Sequence, residues 1–128
     1  MTNPKKFGVW MDTHHATIVG TNSNGTEELV VIAHVTGEDV TPNSSEKTEN
    51  NQKKMLQAKF FKEIASNMQN ATHLHATGTG QAQEQFMHYL AATPQFKNTQ
   101  TEESTSNKMS DERLIIYFTD KLLIEGQA

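Results

Sequence analysis

The sequence predicts an α/β fold built on a three-layer, five-stranded mixed sheet, and three observations predict it. Three short apolar runs near the N-terminus are joined by turns, as in an antiparallel meander. The stretch Thr72–Ala92 (THLHATGTGQAQEQFMHYLAA) reads as a strand, a glycine turn and an amphipathic helix. Two further helical stretches, one on each side of it, repeat apolar residues at three- and four-residue steps. A chain of 128 residues fits one domain, 1–128, long enough for a real core.

Phe7 to Asp12 (FGVWMD) is a strand whose apolar density suits burial on both faces. Asp12 to His15 is a turn, because an Asp side chain readily bonds backbone two residues on. Ala16 to Thr21 is the second strand, and Asn24-Gly25 is the favoured hairpin pair. Glu28 to Val35 is the third strand. From Thr36 to Lys54 the composition turns to Gly, Pro, Ser and Asn, with Val40 the lone apolar residue, so 36–54 is expected to be a mobile loop.

A helix is expected from about Gln52 to Asn70. Leu56, Phe60, Ile64 and Met68 make its stripe, Phe61 and Ala65 widen it, and Asn70 tolerates a left-handed stop. In the central stretch, Leu74 and Ala76 alternate with His73, His75 and Thr77, and Ala82, Phe86, Tyr89 and Leu90 give the helix its apolar side. Phe96 to Ser104 is polar, with alternating threonines, and reads as an exposed edge strand. Ser110-Asp111-Glu112 starts a last helix reaching about Ile124, with a hydroxyl cap and two acids at the positive dipole end. The order β-β-β-α-β-α-β-α, with right-handed crossovers, places the strands 3-2-1-4-5 with strand 2 antiparallel, a ribonuclease-H-like topology.

Composition limits the chemistry. There is no cysteine, which excludes disulfides, thiolate metal sites and cysteine nucleophiles. The formal charge of −4 argues against a general affinity for nucleic acid. The clustered cations are Lys5, Lys6, Lys53, Lys54, Lys59 and Lys62. No signal peptide and no membrane-length apolar run is visible, so no membrane contact and a cytoplasmic location are expected. A homo-oligomer is left open.

Several motifs resemble a known family. Val9 to Val19 match the pattern "apolar strand–Asp–x–His–x–Ala–apolar strand". Ala76-Thr77-Gly78-Thr79-Gly80-Gln81-Ala82 resembles a strand-end "Phe-Gly-Pro-Gly-Glu-Ala-Lys" signature, and Asn107-Lys108-Met109-Ser110 resembles "Asp-Lys-Met-Ser/Thr" before a final helix. Together these resemble small bacterial relatives of the central domain of archaeal and eukaryotic release factors and of Pelota, the translational-machinery-component fold. The signature's Pro is Thr79 here, and its Lys is replaced at Gln83. The Gly-Gly-Gln tripeptide of class-1 release factors is absent; Thr79-Gly80-Gln81 lies at a different place in the fold. The resemblance therefore implies a fold and an association with ribosome or RNA, without the hydrolase activity.

Candidate sites follow. Gly78, Thr79, Gly80 and Gln81 form a turn before a helix N-terminus, where free N–H groups suit an anion; the competing reading is a tight turn that lets the helix pack on the sheet. Lys53, Lys54, Lys59 and Lys62 are the candidate RNA or partner contacts, against the reading of a solvated helix face. Phe60, Phe61 and Trp10 are expected to be buried rather than to stack bases. Asp12 ends the first strand, where ribonuclease-H-like nucleases carry a metal-binding carboxylate. No second and third carboxylate stand in register with it, so it reads as an Asx-turn residue. His73 and His75 share a strand face, as zinc ligands sometimes do, without a visible third ligand. No cofactor, metal or catalytic residue is assigned. The expected function is a non-catalytic accessory domain with ribosome or RNA association. The alternatives are a small-ligand or phosphate-binding module at Gly78–Gln81 and, last, a metal-dependent hydrolase using Asp12.

Overall fold

The computed structural model describes residues 5–21, 28–37 and 46–124. Its elements are β1 (Lys6–Met11), β2 (His15–Thr21), β3 (Leu29–Thr36), α1 (Glu46–Ser66), β4 (His73–Gly78), α2 (Gln81–Ala91), β5 (Gln100–Thr105) and α3 (Asp111–Phe118). A 3-10 turn at Pro94–Phe96 precedes β5, and a π-helical stretch, Thr119–Ile124, continues α3. One five-stranded sheet has the order β3-β2-β1-β4-β5. Strand β2 is antiparallel to β1 and β3, and β4 is parallel to β1 and β5. This is the sheet order expected from the sequence.

Strand β1 is buried along all six residues because helices cover both of its faces. Phe7, Val9 and Met11 point to one face, where they join Ile18, Leu74 and Ala76 under Phe60, Phe61 and Ile64 of α1 and Phe86 and Leu90 of α2. Both crossovers run in the same direction across the sheet, so connections of the same hand put α1 and α2 on the same side. The Phe61 and Phe86 rings meet edge to face at 5.3 Å and lock α1 to α2. Trp10 and Val19 point to the other face and pack with Leu29, Leu114, Phe118 and Leu122 under α3. Phe118 lies directly on Gly8, where a Cβ would meet its ring at 2.4 Å. Lys6, 9% exposed, crosses beneath the end of this layer and donates from Nζ to the Leu122 carbonyl at 3.1 Å.

Three boundaries differ from the sequence expectation. Helix α1 begins at Glu46, so residues 46–54 of the expected mobile loop are helical; residues 38–45 of that loop, and the Asn24-Gly25 turn, lie outside the described residues. The helix ends at Ser66, and Asn70 adopts its left-handed conformation (φ 63) in the turn that follows. The edge strand begins at Gln100 because Pro94, at the first position of a 3-10 turn, holds Phe96 in that turn, where it is buried. Ser110 caps α3 as expected, its Oγ accepting from the Arg113 N–H at 3.3 Å.

Candidate functional site at the carboxyl edge of the sheet

Strands β1, β4 and β5 are parallel, so their carboxyl ends share one edge, where α2 and α3 begin. In open α/β sheets this edge is where ligands bind, at the point where connections diverge. Here β1 turns back into β2 on one side, while β4 leads through the glycine turn into α2 on the other.

Gly78 is buried at the end of β4, opposite Met11 in the register. A Cβ there would sit 2.1 Å from the Met11 carbonyl oxygen, so the two backbones approach as only glycine allows. Its own carbonyl accepts from the Ser106 N–H at 2.7 Å. Thr79 is exposed. Gly80 is the N-cap of α2 with φ 125, a conformation that side-chain-bearing residues rarely adopt, and nothing lies within 4 Å of the place its Cβ would take. Gln81 opens the helix and is exposed.

The turn has an internal occupant. Gln83, 1% exposed, folds back so that its Oε1 accepts from the Gly80 N–H at 2.7 Å. Its Nε2 lies 3.4 Å from Glu103 Oε2 on β5. The side chain that stands where the resembling signature has Lys is thus a neutral cap. It takes one of the N–H groups an anion would use and has a carboxylate behind it. Sequence reading registered the loss of charge at Gln83 but not its new task; the signal was the three-residue Gly80–Gln83 spacing of a capping pair.

Lys53, Lys54, Lys59 and Lys62 are all exposed on α1, while Phe60, Phe61, Ile64 and Ala65 of the same helix, and Met68 just after it, are buried. Besides the Phe61–Phe86 contact, α1 meets α2 through Gln57, whose Nε2 donates to Gln85 Oε1 at 2.5 Å. Phe60, Phe61 and Trp10 are buried, as expected, and offer no stacking platform.

Asp12 is a turn residue. Its Oδ1 accepts from the His14 N–H at 2.9 Å and the His15 N–H at 2.6 Å, and lies 3.3 Å from the His15 ring. Burial alone would raise its pKa, but the two backbone N–H groups and the His15 ring outweigh it and hold the carboxyl below its usual value. Among the described residues no three His, Asp or Glu side chains converge as a metal site would require.

The two strand histidines have different surroundings. His73 Nδ1 lies 3.0 Å from the neighbouring Thr72 hydroxyl. His75 is 4% exposed, its Nε2 2.8 Å from Ser104 Oγ and its Nδ1 3.5 Å from Glu102 Oε2. Ser104 Oγ is also 2.7 Å from the Tyr117 hydroxyl and 2.9 Å from Thr77 Oγ1, which in turn meets Ser106 Oγ at 2.8 Å. Carboxylate, imidazole and hydroxyl stand in line, but the hydroxyl is committed to three partners under α3. The cluster ties α3 to β4 and β5. No single-residue pattern announces it, because it arises only from the register that sets His75 opposite Glu102 and Thr77 opposite Ser104.

No protein-family model matches the sequence, and no curated protein matches it. Solved structures do resemble the fold. The Pelota protein of Archaeoglobus fulgidus superposes with a TM-score of 0.59 at 15% identity over 98% of this chain and 33% of its own. The Thermoplasma acidophilum Pelota protein gives 0.56 at 17% identity over 92% of this chain and 32% of its own. An archaeal translation termination factor gives 0.54 at 12% identity over 96% of this chain and 36% of its own. This chain thus has the fold of the release factor and Pelota domain, and it spans about a third of the length of those proteins.

Proposed function

We propose that this chain is a non-catalytic accessory domain of the translation apparatus that associates with the ribosome or with RNA in the cytoplasm, using the exposed lysines Lys53, Lys54, Lys59 and Lys62 of α1. The observation that carries the reading is that nearly the whole chain shares its fold with about a third of an archaeal translation termination factor and of two Pelota proteins. Such a fold can be reused for other tasks, so the support is one of kinship in shape. The lysines at 53, 54, 59 and 62 are each exposed on one helix, where they are available to phosphates. The alternative, a phosphate site at Gly78–Gln81, has to displace Gln83 from the Gly80 N–H. A hydrolase using Asp12 has to find further carboxylates, and Asp12 is already bonded to its own turn.

The test is co-sedimentation with ribosomes from lysate at two salt concentrations, using the full chain and a variant reversing Lys53, Lys54, Lys59 and Lys62 to Glu. The expected result is recovery at low salt, falling steeply as salt rises and absent in the variant. No recovery of ribosomes or RNA at low salt rejects the proposal.

A further inference from the structure

The free edge of β5 has a chemistry of its own. Strand β5 pairs with β4 on one side and with nothing among the described residues on the other. The Gln100 N–H donates to the Thr72 carbonyl at 2.9 Å, and the Ser106 N–H donates to the Gly78 carbonyl at 2.7 Å. In a parallel ladder this fixes the alternation: the even-numbered residues turn their backbone groups toward β4. Thr101, Glu103 and Thr105 therefore present N–H and C=O groups outward. All six residues but Ser104 are exposed.

The side chains add a charge to this row of donors and acceptors. Glu102 and Glu103 are consecutive, so one carboxylate lies on each face of the sheet at the middle of the strand. Glu102 lies on the α3 side beside His75, with 71% of its side chain exposed; Glu103 lies on the α2 side beside Gln83. Neither contact is to a lysine or arginine. Lys97 and Lys108 stand beyond the two ends of the strand, which leaves the centre acidic. A second copy of β5 would bring glutamates against glutamates, which disfavours self-pairing.

We infer that the β5 edge docks an extended peptide as a sixth strand, and that the peptide carries two adjacent basic residues at its centre. Consecutive residues of a strand point to opposite faces, so a Lys-Lys, Arg-Lys or Arg-Arg pair reaches Glu102 on one face and Glu103 on the other while its backbone bonds the outward groups of 101, 103 and 105. A lone basic residue satisfies one face only. This surface is at the opposite edge of the sheet from β3 and does not use the α1 lysines, so the inference stands whether or not the chain sediments with ribosomes.

The probe is a blocked octapeptide of alternating Thr and Val with Lys-Arg at its centre, titrated into the isotope-labelled full chain. Amide shifts centred on residues 100–106, with slowed hydrogen exchange at Thr101, Glu103 and Thr105, are expected. The same peptide with Glu-Glu at its centre should bind at least tenfold more weakly. Glu102→Gln with Glu103→Gln should weaken the basic peptide about tenfold and remove its salt sensitivity. Thr101→Pro with Thr105→Pro should also weaken it about tenfold; proline is tolerated where an edge N–H faces outward, and retained cooperative unfolding shows that the variant is folded. Should that double variant not fold, Thr101→Pro alone is the measurement. No shift at millimolar peptide, equal binding of the acidic peptide, or full binding by the folded proline variant overturns the inference. The last outcome would mean contact by charge without strand addition.

Discussion

Replacing Gly78 by Ala tests whether the glycine turn is set by backbone packing. The added Cβ would lie 2.1 Å from the Met11 carbonyl oxygen, whereas real Cβ contacts essentially never fall below 3.0 Å. The neighbour is backbone of a fully buried strand, so relief requires β1 and β4 to part by nearly an ångström at their carboxyl ends. Overpacking of this kind costs about 1–3 kcal/mol. Parting the strands also weakens the last ladder bonds between them, each worth about 1 kcal/mol net. The expected loss is therefore about 3 kcal/mol, a large share of the roughly 5–15 kcal/mol that holds a domain of this kind together. Urea unfolding followed through the fluorescence of Trp10, the single tryptophan, reads it directly, with the midpoint falling and the slope unchanged. A loss under about 1 kcal/mol would refute the reasoning, since the Met11 backbone would then be yielding to the added Cβ at little cost.

Gln83→Ala leaves the Gly80 N–H without its acceptor and opens space beside α2; a loss of about 2 kcal/mol is expected in the same unfolding experiment. Gly80→Ala and Gly80→Asn should each cost about 1–3 kcal/mol, with asparagine no better than alanine, because φ 125 lies beyond the left-handed region that asparagine tolerates. Ser110→Ala removes the α3 cap and should cost about 1 kcal/mol, read by thermal melting. The Asp12 carboxyl has a lowered pKa in the folded chain, so its ionised form contributes stability above the unfolded value of 3.8, and that contribution is lost as pH falls through the folded value. Urea titrations of wild type and Asp12→Asn should show a gap that is constant from pH 7 to 5 and narrows as pH falls below about 4; a gap that does not narrow there contradicts this reading.

The strand order was legible because two kinds of pattern agreed. The apolar density of Phe7–Met11 marked a strand covered on both faces, and the alternation in His73–Gly78 ran into a glycine turn and a helix. The start of α1 was not legible. Residues 51 and 53–55 are exposed, so this part of the helix leaves no periodic apolar stripe, and the pattern emerges only from half-buried Leu56 onward. At the site, Gly78 and Gly80 looked alike in sequence, yet one is glycine for want of space and the other for its backbone angle. The His75–Ser104–Thr77–Tyr117 cluster was hidden for a different reason: its members lie far apart in the chain and meet only once β4 and β5 are paired.

The bond from Lys6 Nζ to the Leu122 carbonyl joins the first strand to the last helical stretch. A polypeptide that enters this domain at β1 can leave it within one side chain's reach of where it came in. Such a unit can be spliced into a surface loop of a host protein without forcing the host's flanking residues apart. Joining the chain near Lys6 to the chain near Leu122 and reopening it elsewhere requires only a short tether, and the buried lysine would hold the join in place from within.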